Sequence, residues 1–418
     1  MRKNVLVQAA AMSLSGYGAY GRDIVLALHN SGKFNVGLQS LQWAQASFIT
    51  EKDSEDFEIL KKLSDVGEQM MEAEKQGWKA DIFIHCTVPH EWENTARGHI
   101  NIGATAGVEV DRISVDWIKK INEMDLTFVI SNFSKGVIET TKYDVKHSTT
   151  NELIDSMCVK KPIEAIPISV NVKTFSPTVE PLDYEFETKR NMIFMGQWGP
   201  GGIGEDRKNI AKLIALFSKK FDKHHPGHKE VGLILKVHER NFSLMDQERM
   251  RGRVKEIREM MDLDPEFPRV YVIGGSMSEE EMASLYNHES VEAFINLTHG
   301  EGQGLPMIEA TACNVPIIAT AWSGHMHYLD PECFVPIKYR IATIPAPVVW
   351  PGVLEKESKW SEPDDHHIMK ELERWYRRTG WKKLRKKVEE QGERIREEYS
   401  REATMNKYIV ALEKYEMI

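Results

Sequence analysis

Short apolar runs alternate with amphipathic stretches along this chain. NVLVQA, FNVGLQ, DIFIH, INIGAT and LTFVIS are the length of strands, while YGRDIVLALHN and EDFEILKKLSDVGEQMMEAE place apolar residues at helical spacing. The second half repeats the rhythm with NMIFMG, GLILKV, RVYVIG, EAFINL, PIIAT and CFVPI as strands and with KNIAKLIALFSKKF and SEEEMASLYNH as helices. Strands that alternate with helices form parallel sheets covered by helices, so the pattern predicts an α/β fold made of two successive units.

The chain has 418 residues and 48.0 kDa, more than one hydrophobic core usually serves, which supports the two-unit reading. The polar, proline-containing stretch Asn171–Arg190 separates the strand-like IEAIPIS from NMIFMG. The expected domains are therefore 1–180 and 181–390. Beyond about residue 360 the sequence is charged and helical, and a closing helix over 391–418 is expected to pack back on the N-terminal domain.

Composition removes several classes. No apolar run is long enough to cross a bilayer, and MRKNVLVQAAAMSLSG fits a first core strand better than a secretory signal. Cys86, Cys158, Cys313 and Cys333 are far apart and form no C-x-x-C pair, which fits free thiols in a cytoplasm rather than a disulfide framework or zinc site. A net charge of −9 argues against a phosphate-rich polymer as the main partner, and the basic run Arg377–Lys387 is expected to be the solvated face of a helix. The pairs His224/His225 and His366/His367 are expected in surface loops, and no metal site is expected.

Open α/β sheets bind ligands beyond the carboxyl ends of their strands. Two glycine-rich stretches are placed there. In SLSGYGAYGRD, Gly16, Gly18 and Gly21 satisfy G-x-G-x-x-G, yet FNVGLQS ends without the acidic residue that a dinucleotide ribose requires. A tight strand-to-helix turn and a ligand loop explain this motif equally well. HGEGQGLPMIEA is more specific. It follows the strand EAFINL, offers the bare backbone of Gly302 to Leu305, and reaches Pro306 at the expected first helical position. Backbone N–H groups and the helix dipole then converge where a phosphate could sit. Glu309, one turn into the helix, could accept both hydroxyls of a ribose, and Glu301 could reach the group beyond the phosphate.

The E-x7-E spacing in HGEGQGLPMIE resembles the signature of retaining, nucleotide-sugar-dependent glycosyltransferases of the GT-B fold, the family 4 or group 1 type. IPISVNVKTFSP, FMGQWGPGGIGEDRKNIAKLIALF, NIGATAGVEVDRISVDWIKKINEMDLTFVISNFSKGVIE, PIIATAWSGHMHYL and WSEPDDHHI also have counterparts there. The resemblance implies two Rossmann-like doubly wound parallel-sheet domains with a cleft between them. It implies transfer of a sugar from a nucleotide-diphosphate sugar, such as a UDP-sugar, to an acceptor hydroxyl, with retention of configuration and without a metal or cofactor. Carried over by residue, Lys208 would bind the donor diphosphate, Glu309 its ribose and Glu301 the transferred sugar, with Arg207 a further donor-binding candidate. Gly302, Gln303, Gly304 and Leu305 would present backbone N–H groups, and Gly16 and Gly18 would let the first loop approach the donor. His90 and Glu109 are the N-terminal-domain candidates for assisting catalysis, with His99 flanking the same region.

One departure stands out. The family commonly has arginine just after the glycine of FMG, where this chain has Gln197, so Arg207 or Arg240 is expected to supply the missing charge. The implied acceptors are a glycan, a lipid-linked sugar or a small molecule, with a modified nucleic-acid base disfavoured by the acidity. A GT-B epimerase or phosphorylase and a non-catalytic nucleotide-sugar or glycan-binding module remain alternatives. A nicotinamide oxidoreductase lacks the acidic partner in its first-strand loop.

Overall fold

Val5, Leu6 and Val7 of the first strand are fully buried, as expected of a strand with neighbours on both sides and helices above and below. The computed structural model describes residues 2–418 except 53, 94, 148, 149, 151, 200 and 240–242. The chain divides into one unit of Met1–Ser169, Val349–Ser358 and Tyr399–Ile418, and another of Val170–Val348 and Lys359–Glu398.

The first unit runs β1 (Lys3–Ala9), α1 (Gly16–Asn30), β2 (Phe34–Ser40), α2 (Phe57–Glu74), β3 (Ala80–Cys86), β4 (Gly98–Thr105), α3 (Val115–Glu123), β5 (Leu126–Val129), α4 (Asn132–Thr140), β6 (Lys142–Lys146), β7 (Leu153–Cys158) and β8 (Ile163–Ala165). Its six-stranded sheet has the order β2-β1-β3-β4-β5-β8 and is parallel throughout. β6 and β7 form a separate antiparallel hairpin. The apolar pattern did not announce it, because Leu153 and Ile154 stand exposed on it rather than in a core. IEAIPIS yields only the three residues of β8, and the first stretch of this unit runs to Ser169, where a boundary at residue 180 was expected. Asp23 of α1 is buried there and accepts both the N–H and the hydroxyl of Ser169, at 2.6 and 2.7 Å.

The second unit runs β9 (Arg190–Gln197), α5 (Ile210–Lys220), β10 (Val231–His238), α6 (Leu244–Met260), β11 (Arg269–Ile273), α7 (Glu279–Tyr286), β12 (Val291–Asn296), α8 (Leu305–Ala312), β13 (Ile317–Thr320), β14 (Val335–Ile337), β15 (Tyr339–Thr343), β16 (Lys359–Pro363), α9 (Asp365–Tyr376) and α10 (Trp381–Glu398). Its six-stranded sheet is also parallel throughout, in the order β11-β10-β9-β12-β13-β14. Met192, Phe194, Leu233, Phe217, Trp375 and Trp381 share its main core. The antiparallel pair β15–β16, joined through a long connection, was missed by the sequence pattern. The closing segment is two helices instead of one. α10 ends at Glu398 in the second unit, and Ser400 caps a new helix, α11 (Arg401–Lys414), which packs on α1 in the first.

The strand orders fix where ligands can bind. The direction of winding reverses between β1 and β3 in the first sheet and between β9 and β12 in the second, and the loops leaving such a pair splay apart into a crevice. Among the described residues no helix is long and apolar enough to cross a membrane. The four cysteines are free, with Cys86 and Cys313 buried.

α10 buttresses α8 from behind through Gly392. A Cβ there would lie 2.0 Å from the Asn314 side chain and 2.8 Å from the Thr311 carbonyl. Gly392→Ala is therefore expected to lower stability by about 1–3 kcal/mol despite alanine's better helix propensity, read by urea unfolding. An unchanged or raised midpoint would contradict this packing.

Candidate active site

The loops after β9 and β12 are the two that flank the winding reversal of the second sheet, and they are tied together residue by residue. After β9, a glycine-rich loop reaches Asp206, which is buried and accepts the N–H groups of Ile210 and Ala211 at 3.0 and 3.2 Å, capping α5. Burial raises the Asp206 carboxyl, and those N–H bonds act against the rise. Asn209 turns the chain into α5 with a left-handed φ of 59° and donates to the Leu297 carbonyl at 3.0 Å. The Arg207 carbonyl accepts the His299 N–H at 3.1 Å. Between these anchors Lys208 makes a close ion pair with Glu301, and both side chains are nearly buried, at 13% and 7% exposure.

Glu301 is fixed from every side. Asn296, the last residue of β12, donates to its carboxylate at 3.1 Å, and the Glu301 N–H donates to the Ser323 hydroxyl at 2.9 Å. Gly324 N–H donates to the Glu301 carbonyl at 2.8 Å, and the Tyr328 hydroxyl to the Gly304 carbonyl at 3.0 Å. Burial opposes ionisation of Glu301, but the charges of Lys208 and Arg207 and the Lys208 hydrogen bond outweigh it, holding the carboxyl below its usual range. At neutral pH it is an anion that accepts hydrogen bonds and has no proton to give.

α8 begins at Leu305, so Pro306 is its second residue instead of its first. Gly304 supplies the turn with φ of 83° and, having no side chain, leaves the helix without a side-chain cap. Glu309 lies half-buried one turn on. Tyr286 donates to the Pro306 carbonyl at 3.1 Å, and its hydroxyl lies 3.5 Å from the Glu309 carboxyl. Burial, aided by the charge of Glu279 at the start of α7, pushes the Glu309 carboxyl well above its usual range.

Two buried histidines frame the loop. His299 stacks on Trp360 with centroids 4.1 Å apart, and its Nδ1 is 2.7 Å from the Ser361 carbonyl. His325 has Nε2 2.6 Å from the Thr320 carbonyl. Burial lowers both toward the neutral form.

The other sequence candidates are distributed as follows. Lys208, Arg207, Glu301, Gly302, Gln303, Gly304, Leu305 and Glu309 all lie in this region of the second unit. Gln197 ends β9, and its amide donates to the Glu239 carbonyl at 3.0 Å. Arg207 is half-buried beside Glu301, and Arg240 lies outside the described residues. Gly16, Gly18, His90 and Glu109 belong to the first unit, after β1, β3 and β4. Gly16 and Gly18 are not in a loop, because Ser15 caps Gly18 N–H at 2.9 Å and α1 already starts at Gly16. A Cβ on Gly18 would fall 2.0 Å from the Ser13 carbonyl, so this glycine is needed for packing. His90 is exposed, and its Nδ1 accepts the Trp117 indole N–H at 3.3 Å. Glu109 is half-buried in the segment after β4. His99 is the second residue of β4, at the opposite end from the strand's carboxyl edge.

His366 and His367 lie in the first turn of α9 instead of a loop, and His225 is tied to Glu373 at 3.2 Å. No group of three or more potential metal ligands occurs among the described residues. Lys382, Lys383, Arg385 and Lys386 of the basic run are exposed on α10, as its sequence suggested. Asp206, Asn296, Ser323, Tyr328 and Arg253 were not foreseen. Arg253 covers Trp198 at 4.1 Å and donates to the carbonyls of Gly199 and Gly201 at 3.0 and 3.1 Å, pinning the glycine loop from α6.

No protein-family model matches the chain, and no curated protein matches its sequence. Solved structures do match. Sucrose-phosphate synthase from Thermosynechococcus elongatus superposes with a TM-score of 0.62 at 15% identity over 99% of both chains. A glycosyltransferase from Rickettsia africae gives 0.59 at 16% identity, covering 99% of this chain and 98% of that one. The Anabaena protein HepE, solved with UDP and glucose, gives 0.58 at 10% identity over 99% and 100%. These likenesses show that the two parallel-sheet units have the GT-B fold.

The ion pair makes a prediction that needs no ligand. In the folded chain the Glu301 carboxyl is depressed, so its contribution to stability is present above the ordinary carboxyl pKa of about 4.3 and is lost as pH falls through the depressed value. Lys208→Met leaves that buried carboxylate without its ion-pair partner, with the charge of Arg207 and the Asn296 hydrogen bond as its remaining support, and should cost about 3 kcal/mol at pH 7. The deficit should shrink in acid, where Glu301 is protonated. Chemical denaturation at pH 7 and pH 4 that gave equal deficits would remove the pairing from the energetics.

Proposed function

We propose that this protein is a glycosyltransferase that moves a sugar from a nucleoside-diphosphate sugar to an acceptor hydroxyl, with retention of configuration and without a metal. One observation carries the proposal: a buried lysine–glutamate pair at the winding reversal of a parallel sheet, beside a helix that begins in Gly-x-Gly-Leu-Pro. The fold shared with sucrose-phosphate synthase, and with a HepE structure that holds UDP and glucose, supports the donor class and makes a UDP-sugar the first to try.

In this reading the chemistry needs charge management above all. The bond from sugar C1 to the diphosphate oxygen breaks, its electron pair leaves with the diphosphate, and the acceptor oxygen bonds to C1. The acceptor proton passes to an oxygen of the departing phosphate. Lys208, Arg207 and the backbone of Gly302, Gln303, Gly304 and Leu305 stabilise the negative charge that develops, and the ionised Glu301 accepts hydroxyls of the sugar. Glu309 takes the ribose. Lys208 must serve both Glu301 and the diphosphate, so donor binding redistributes an existing ion pair rather than burying a new charge.

We assign the acceptor side to the first unit, with His90 and Glu109 as the candidates for assisting transfer. Because His90 Nδ1 accepts from Trp117, the ring carries its proton on Nε2, which suits donation to a substrate hydroxyl better than action as a base. A glycan, a lipid-linked sugar or a small molecule is the proposed acceptor. The free cysteines fit a reducing, cytoplasmic setting.

The direct test is a panel of nucleotide sugars with candidate acceptors, read by mass spectrometry, with NMR following the anomeric proton of the first product. Transfer that persists in a chelator and keeps the donor's anomeric configuration is expected. Abolition by the chelator with rescue by magnesium or manganese, or an inverted early product, would refute those parts of the proposal. Product formed without an acceptor alcohol would point to an epimerase or phosphorylase, and binding without turnover to a binding module.

Glu309 gives a second test. Its raised carboxyl means that its contribution to stability is complete below the ordinary carboxyl range and is lost as pH rises toward the raised value. Glu309→Gln should therefore gain in melting temperature over the parent as pH rises, while nucleoside-diphosphate affinity falls by about 1.5–3 kcal/mol. Calorimetry that found unchanged affinity would remove Glu309 from the ribose.

A further inference from the structure

Ser323 adopts φ 86° and ψ −156°, a backbone region that is essentially reserved for glycine. The next residue is a glycine, and it is needed where it stands, because a Cβ on Gly324 would lie 1.8 Å from the Gly302 carbonyl. At Ser323 the side chain works against the backbone, yet it is 4% exposed and its hydroxyl accepts the N–H of Glu301 at 2.9 Å. The adjacent Gly324 N–H donates to the Glu301 carbonyl at 2.8 Å, so both backbone polar groups of Glu301 are held by two consecutive residues. Asn296 and Lys208 hold its carboxylate.

We infer that Ser323 is a positioning residue for Glu301: it keeps a strained conformation because its hydroxyl fixes the glutamate backbone and thereby aims the carboxylate. The inference rests on the proposed role of Glu301 toward the transferred sugar. Local folding alone would favour glycine at this position, since glycine adopts the conformation freely and leaves Gly324 N–H and the surrounding packing in place. What glycine cannot supply is the acceptor for a buried N–H. In this role Ser323 acts through Glu301, whose N–H its hydroxyl accepts.

Two variants separate backbone from hydroxyl. Ser323→Gly and Ser323→Ala both lose the acceptor, but only glycine relieves the strain, so Ser323→Gly should melt several degrees above Ser323→Ala. Turnover should follow the hydroxyl instead. Both variants should lose kcat by about tenfold, with nucleoside-diphosphate affinity and donor KM close to the parent values, because the ribose and phosphate contacts lie elsewhere. Ser323→Gly with the parent kcat, or melting no higher than Ser323→Ala, would overturn the inference. If the parent protein transfers no sugar from any donor, the functional proposal fails first. Amide hydrogen exchange at Glu301 then decides the structural part: faster exchange in Ser323→Gly than in the parent supports the positioning role, and equal exchange overturns it.

Discussion

Glu301 and Lys208 are removed from water together, and each would be costly to bury without the other. Their pairing explains why the surrounding chain is so heavily fastened. Asp206 and Asn209 hold the lysine's loop at the head of α5, and Asn296, Ser323 and Gly324 hold the glutamate's loop at the head of α8. His299, stacked on Trp360, joins the two loops by giving its N–H to the Arg207 carbonyl. A loose loop on either side would let water in, and the pair would lose the low-dielectric setting in which it is strong.

Glu301 and Glu309 are eight residues apart in sequence and differ in charge. Glu301 is depressed by two cations, whereas Glu309, on the first turns of α8 beside Tyr286 and near Glu279, is raised by burial. Carboxylates pushed in opposite directions suit different tasks. One is a fixed anion. The other exchanges its proton over a higher pH range, and its desolvation is a cost to folding.

The strands of both sheets were legible because a parallel strand covered on both faces contains an apolar run, as in Val231–Leu235 and Ala293–Ile295. The two antiparallel pairs were not, since β6–β7 and β15–β16 carry exposed apolar residues and no such run. The motif His299–Ala310 was legible as a strand-to-helix junction because its glycines and proline mark the turn and the helix start, and Glu301 and Glu309 are both placed at that junction. The start of α8 was misplaced by one residue because the left-handed turn at Gly304 could not be seen in the sequence. Gly16 and Gly18 were taken for a loop because the cap that starts α1 there comes from an ordinary-looking Ser15. Asn296, Ser323 and Arg253 were invisible for a different reason: each is defined by a partner that only the folded chain brings near, such as Ser323 at Glu301. The hydrophobic pattern reports burial and period, and it carries no record of long-range hydrogen bonds.

The central claim is that a nucleotide sugar is held by the loops that carry Lys208 and Glu301. Hydrogen–deuterium exchange with and without saturating UDP tests it most directly. The account predicts slowed exchange in 206–209 and 297–305, at the carboxyl ends of β9 and β12, with β6–β7 unaffected. No slowing in those segments while UDP binds, or slowing confined to the first unit, would contradict it.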